Sequence, residues 1–206
     1  MIQKLKTAAY VCLALGLFSC NGLNGGVETV EVEGLYSIEL PTYMMKATEE
    51  LNEDASLQYE NGFREMYIEV IDESKQEFID IFRQYDLYHD SLSVVQNYRL
   101  AQIGSVTEDL KVSSQAAPVA KMINGLNSET VQVDGFYEGV DEEISYLLTA
   151  IEGDENLYLV MMWMLASDKE EKLPIFQKMV DSFKLMSSDT EEAPEAEEEV
   201  SEEAAS

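Results

Sequence analysis

The chain has 206 residues, with 13 lysines and arginines against 41 aspartates and glutamates, a formal net charge of −28. Such a surface repels the phosphates of nucleic acids, so nucleic-acid binding is excluded as a function class, and anionic lipid is repelled in the same way. One histidine, His89, and two cysteines, Cys12 and Cys20, leave no multi-histidine zinc site.

The first twenty residues differ from the rest. Lys4 and Lys6 make a basic start, and no acidic residue occurs before Glu28. Thr7 to Phe18 is an apolar run. It is short for a membrane span, which needs about 20 residues, and suits the apolar region of a secretory signal. The run ends in Leu17-Phe18-Ser19-Cys20. This resembles the lipobox of bacterial lipoproteins, with an aliphatic residue three before the cysteine and a small one just before it. The resemblance implies a signal peptide over 1–19 and a covalent lipid at Cys20, which would incorporate labelled palmitate. Residues 20–33, beginning Cys20-Asn21-Gly-Leu-Asn-Gly-Gly26, then read as a flexible tether. Two or three acyl chains anchor stably where one is marginal. The expected location is therefore the cell envelope, on the periplasmic or surface side of a bacterial membrane. Cys12 would leave with the signal, so the mature domain would hold no thiol, no disulfide and no cysteine metal site.

One domain is expected over 34–186. Leu35 to Leu40 alternates apolar and polar and ends at Pro41, a strand and turn. Ala55 to Glu60 and Phe63 to Ile71 flank Asn61-Gly62, the signature of a tight hairpin. From Asp72 to Tyr85 the period changes. Phe78, Ile81, Phe82 and Tyr85 form one helical stripe. Asp90-Ser91 can cap a second helix with Leu92, Val95 and Tyr98 inward. Leu110 to Pro118 reads as loop. Val119–Ile123 and Asn127–Tyr137 are strands about an Asn124-Gly125 turn, and Glu143–Ile151 and Leu157–Leu165 are strands about Gly153-Asp-Glu-Asn156. Leu157 to Leu165 is apolar without a break, which suggests a strand covered on both faces. Lys169 to Met186 is helical, with Leu173, Phe176, Val180 and Phe183 on one face; Pro174 is tolerable only in a first turn, so the regular helix is expected to start near it. Val160 and Phe183 should be buried, Asp154 and Glu155 exposed. Ser187 to Ser206 holds Asp189 and eight glutamates and no basic or aromatic residue, so 187–206 reads as a disordered acidic tail.

This order of elements resembles the Mog1/PsbP fold. The resemblance rests on Tyr36-Ser-Ile-Glu-Leu-Pro41, Ile123-Asn-Gly125, Tyr158-Leu-Val-Met-Met and Asp181-Ser-Phe-Lys184. It implies an α+β domain, an antiparallel β-sheet sandwiched by helices. Members include a photosystem subunit that helps retain calcium and chloride, a partner of a nuclear-transport GTPase, and uncharacterised lipoproteins. No catalytic residue carries over, and a fold does not give a function.

Chemistry is sparse. His89 lies in a polar stretch beside Asp86, Tyr88 and Asp90, as a surface histidine would. A Ser–His–Asp site is formally possible, but no Gly-x-Ser-x-Gly elbow and no phosphate-binding glycine loop occurs. Acidic residues cluster at Asn52-Glu53-Asp54, Asp72-Glu73, Asp141-Glu142-Glu143 and Glu152 to Glu155, all expected at turns. Calcium takes oxygen ligands, but none of these has the EF-hand spacing, and solvated turns explain them. Asp90-Ser91-Leu92 is similar to an O-glycosylation acceptor of some exported Bacteroidetes proteins, and it also explains itself as a helix cap. Met161, Met162, Met164 and Trp163 could line a pocket, or simply pack. No metal site and no cofactor other than the Cys20 lipid is expected. The function expected is that of a membrane-anchored, non-catalytic module for an envelope protein partner. The alternative is a small-ligand or calcium-binding module using acidic turns; an enzyme working with two carboxylates comes last.

Overall fold

The computed structural model describes residues 26–32, 34–48 and 52–186; the signal peptide expected over 1–19, the expected lipid site Cys20 and the tail expected over 187–206 lie outside them. In chain order the strands are β1 (Val27–Val32), β2 (Tyr36–Pro41), β3 (Met45–Lys46), β4 (Ala55–Asn61) and β5 (Met66–Ser74). Two helices follow, α1 (Lys75–Gln84) and α2 (Val94–Val106). Then come β6 (Leu110–Gln115), β7 (Val119–Ile123), β8 (Leu126–Tyr137), β9 (Ile144–Glu152) and β10 (Asn156–Leu165). A 3-10 turn at Ala166–Asp168 leads into α3 (Lys169–Ser182), and β11 (Lys184–Leu185) ends the described chain. Among the described residues no helix is long and apolar enough to cross a membrane.

One antiparallel sheet of eight strands runs β3-β4-β5-β10-β9-β8-β6, with β7 also beside β8; a second of three runs β1-β2-β11. The fold is the expected α+β sandwich. Side chains alternate along each strand, so β5 sends Met66, Ile68 and Val70 to one face, with Phe176, Met179 and Phe183 from α3 and the residue that ends it. On the other face Leu148 and Leu159 pack with Phe78 of α1 and with Val95 and Tyr98 of α2. The unbroken apolar run lies in β10, between β5 and β9, and Leu157 to Val160 are buried on both faces as expected. Val160 and Phe183 are buried; Asp154 and Glu155 are exposed.

Several local expectations are corrected. Val27–Val32, expected within the tether, is a strand along β2, because Glu28 to Val32 find main-chain partners from Leu40 to Tyr36. Its face of the large sheet is therefore covered by a small sheet as well as by a helix. Asn61-Gly62 is not a two-residue turn. Residues 62–65 form the loop, Glu65 takes the positive φ of 47°, and Asn61 Oδ1 caps it by accepting from the Arg64 N–H at 3.0 Å. On α1, Ile81 and Tyr85 face solvent while Phe78 is buried and Phe82 packs beside it, because α1 meets the sheet on the Phe78 side only. The cap of α2 is Ser93, not Asp90-Ser91. Ser93 accepts from the Gln96 N–H while the Gln96 side chain accepts from the Ser93 N–H, a reciprocal box two residues later than expected. Asp90 instead pairs with Arg83 at 3.0 Å, and Ser91 is exposed. Leu110–Gln115 is a strand rather than a loop. Leu110 is held against Gly135, where a Cβ would come within 2.9 Å of the Leu110 side chain and the Lys111 carbonyl. Pro174 lies inside α3, beyond its first turn. That turn is held in front of the proline by two ion pairs, Lys169 to Asp134 and Lys172 to Asp168.

Asn124-Gly125 does form the expected tight turn, with φ of 47° and 90°. The Asn124 amide donates to the carbonyls of Asp181 and Phe183, which fastens this hairpin to the end of α3.

Candidate functional site

The outer strand of the sheet and α3 enclose a cleft of about 340 Å³. Register decides its floor. Thr130 and Thr149 are cross-strand neighbours on β8 and β9, facing α3, and their hydroxyls bond at 2.9 Å. Val119, Ile123, Leu147, Leu173 and Val180 supply apolar walls. Lys121 and Asp181 pair across the mouth at 2.5 Å, both about half exposed. Exposed pairs of this kind contribute little, so this one can open readily. Most ligand pockets are apolar with a few placed polar groups, and the cleft has that character.

Beyond the cleft the same floor continues into a buried network. Asp134 on β8 accepts from Ser145 Oγ at 2.6 Å, from Lys169 Nζ at 2.7 Å and from the Gln132 amide at 3.1 Å. Burial works to raise the Asp134 carboxyl, but these hydrogen bonds and the Lys169 charge outweigh it and hold the group below its ordinary range. Ser145 is fully buried. This is a clamp between the sheet and the start of α3, and its serine has no access to a substrate.

The edge beside the cleft is open. Among the described residues no strand pairs with the outer side of β6 or β7, and Lys111 to Met122 are all exposed. Leu110 to Ser128 contains two lysines and no carboxylate, in a chain that holds 41. The tight turn pairs Ile123 with Leu126, so the main-chain groups of Lys121 and Val119 also point to β8 and those of Ala120 and Met122 point outward. A second, more open pocket of about 400 Å³ lies on the opposite face of β7, between Met122, Asn127 and the first turn of α2. A chain added along β7 would thus find a pocket for its side chains on each face.

The residues singled out in the sequence lie elsewhere. His89 is exposed in the α1–α2 loop, where its main chain bonds Asn97, on the opposite side of the sheet from Asp134 and Ser145. The structure therefore assembles no Ser–His–Asp site from these residues. Asp72 and Glu73 sit in β5 rather than a turn, and Glu73 accepts from Tyr98 and Gln102. Glu152 lies in β9 and pairs with Lys75 at 3.5 Å. Glu143 accepts from Ser113. Asn52 caps its own turn at Asp54 and donates to Glu69. Among the described residues no three metal-ligating side chains converge. Met162 and Met164 are core; Trp163 faces the other way, stacked on Tyr67 at 5.2 Å. Neither open edge nor cleft carries a sequence motif. The one signal for them is the carboxylate-free run itself.

Three buried acids, Glu69, Glu129 and Asp134, were not anticipated; the latter two are in ion pairs with Arg99 and Lys169. Glu69 on β5 is almost fully enclosed, and burial pushes its carboxyl up despite the hydrogen bond from Asn52 at 3.2 Å. Below the unfolded value the group is protonated in both states. As pH rises between the unfolded and folded values, ionisation favours the unfolded chain, so Glu69 subtracts stability at neutral pH. Glu69→Gln keeps an oxygen for Asn52 and should raise Tm at neutral pH, with the gain vanishing below pH ~4. Calorimetry at both pH values checks it; an unchanged or lower Tm at neutral pH contradicts it.

No protein-family model and no curated protein matches the chain. Solved structures do. Cyanobacterial PsbP (CyanoP) from Synechocystis sp. PCC 6803, a solution structure, superposes with a TM-score of 0.53 at 10% identity, over 84% of this chain and 99% of that one. The Ran-binding protein Mog1p of Saccharomyces cerevisiae superposes with a TM-score of 0.52 at 12% identity, over 78% of this chain and 96% of that one. The fold is that of Mog1 and PsbP, and at these identities the likeness shows the fold alone.

Proposed function

We propose that this chain is a lipid-anchored envelope protein that takes a protein partner along its β7 edge and performs no catalysis. The open edge flanked by a pocket on each face carries the binding reading. Strand addition draws affinity from main-chain hydrogen bonds and specificity from alternate side-chain pockets, and β7 offers both. The anchor reading rests on Lys4, Lys6, the apolar run and Leu17-Phe18-Ser19-Cys20. Acylation at Cys20 would hold the domain at a bacterial membrane, on its periplasmic or surface side. A second reading, a small-ligand module, rests on the same cleft. It differs in needing the pocket but not the edge.

The test places a photo-crosslinking residue at Val119 in the anchored protein, in membranes of its own source. One discrete crosslinked protein is expected, lost with Ala120→Pro, which removes an outward main-chain donor without touching the β7–β8 ladder. Cys20→Ser should abolish palmitate labelling and release the protein from the membrane. Labelling retained in that variant removes the anchor reading. Crosslinking untouched by Ala120→Pro removes the edge reading.

A further inference from the structure

Three large apolar side chains stand exposed at one corner of the molecule: Val27, Met45 and Phe63. They come from three separate elements, and hydrogen bonds bring them together. The Thr42 N–H donates to the Gly26 carbonyl at 2.9 Å, which sets the start of β1 beside the β2–β3 turn. The Asn61 amide donates to the Tyr43 carbonyl at 2.7 Å, which sets that turn beside the β4–β5 loop. Arg64 lies over the Tyr43 ring at 4.4 Å, leaving Phe63 at the loop tip with no cover at all, 103% exposed. Met45 pairs with Glu60 across β3 and β4. An aromatic ring held out in water by an ordered loop packs against nothing in its own domain.

The charge here is unlike the rest of the surface. Leu40 to Thr48 holds no carboxylate and carries Lys46, and Arg64 follows Phe63. Lys46 and Arg64 stand among Glu28, Glu60, Glu65 and Glu171, so in a chain of −28 this apolar corner is one place where cations lie between the acids. From this same corner the chain leaves toward its N-terminus. Gly26 is six residues from Cys20, a span of at most about 20 Å.

We infer that this corner, Val27, Met45 and Phe63 flanked by Lys46 and Arg64, is a membrane-docking surface that rests in the lipid interface. The inference depends on the Cys20 anchor proposed above. Acyl chains at Cys20 hold the corner within about 20 Å of the bilayer, where even a weak interfacial preference is met at high local concentration. Apolar side chains enter the acyl boundary, and the two cations stay at headgroup level. The consequence is orientation. β3 lies at one edge of the large sheet and β6 at the other, six strand spacings away, roughly 29 Å. With β3 against the membrane, β6 and β7 face away from it, toward a partner.

The test uses the full acylated chain, held through Cys20 in vesicles of three parts phosphatidylcholine to one part phosphatidylglycerol, the phosphatidylcholine brominated on its acyl chains. Trp163→Phe removes the native fluorophore and keeps an aromatic ring on Tyr67. Phe63→Trp in that background should emit at shorter wavelength and be quenched several-fold more than Met122→Trp, which reports from the far edge. Quenching at 63 no greater than at 122 overturns the docking surface while the anchor stands. Stronger quenching at 122 overturns it by showing the opposite orientation. Failure of the acylated protein to float with the vesicles removes the anchor reading itself, and this inference with it. Should either tryptophan variant lose the native melt, a nitroxide at position 63 or 122 and paramagnetic accessibility to lipid-soluble oxygen give the same comparison.

Discussion

Phe183→Ala is expected to destabilise the domain by about 3–5 kcal/mol. The ring is fully enclosed where three elements meet. It stacks on Tyr36 of β2 at 4.9 Å and leans on Tyr158 of β10 at 5.1 Å, so one side chain joins the small sheet to the large one. Backbone position makes this possible. Phe183 ends α3 with extended geometry, donating its N–H to the Val180 carbonyl and accepting from Asn124. Truncation leaves a cavity lined by aromatic rings that cannot collapse into it, because Tyr36 is held through its hydroxyl by Ser56 at 2.9 Å. Domains are stable by only about 5–15 kcal/mol, so the variant could sit near its unfolding threshold. Urea melts at fixed pH measure the loss. Asp154→Ala, an exposed turn residue, serves as the control and should change little. A Phe183→Ala midpoint equal to the parent's would show that the C-terminal end of α3 is not core.

Arg99→Met should cost a similar amount, about 3–5 kcal/mol, for a different reason. Arg99 Nε meets Glu129 Oε2 at 2.6 Å with both side chains about nine-tenths buried, and Gln96 donates to the other carboxylate oxygen at 3.0 Å. The pair fastens α2 to β8. Taking away the guanidinium strands a charge in a site that water hardly reaches. That desolvation, more than the lost attraction, sets the size of the effect. The double variant Arg99→Met/Glu129→Met removes the stranded charge and should recover most of the stability. Lys121→Ala breaks an ion pair that is half exposed, and should cost no more than ~1 kcal/mol. A double-mutant cycle on denaturant midpoints decides it. If the double variant is no more stable than Arg99→Met alone, the stranded-charge account is wrong.

The cleft and the docking corner escaped the sequence because each is assembled from distant segments. Val119, Thr149 and Leu173 are far apart in the chain and meet only after β8, β9 and α3 have packed. Phe63 reads as the first residue of a strand, and nothing local says that the loop would hold it out in water. The acidic clusters, in contrast, were conspicuous in the sequence and are spread through the fold in small structural duties, such as Glu73 under Tyr98 and Glu152 against Lys75.

What the sequence determined by itself was whatever a local pattern can encode. Asn124-Gly125 dictates its turn because both positions need positive φ, and only the chemistry of those two residues is involved. The apolar run from Leu157 to Leu165 dictates a central strand, because no one-sided strand could bury it. Tertiary structure decided every question in which two local solutions compete. The cap of α2 is not one of these: Ser93 with Gln96 three residues later is a capping box written in the sequence itself, and Ser91 has no such partner. Ile81 and Tyr85 match the helical period as well as Phe78 does, yet only one side of α1 meets the sheet. Val27–Val32 and Leu110–Gln115 became strands because a partner strand was there to take their main-chain hydrogen bonds; the β-branched Val27, Thr29, Val30 and Val32 suit a strand, but a short segment carries no record of the partner it will meet.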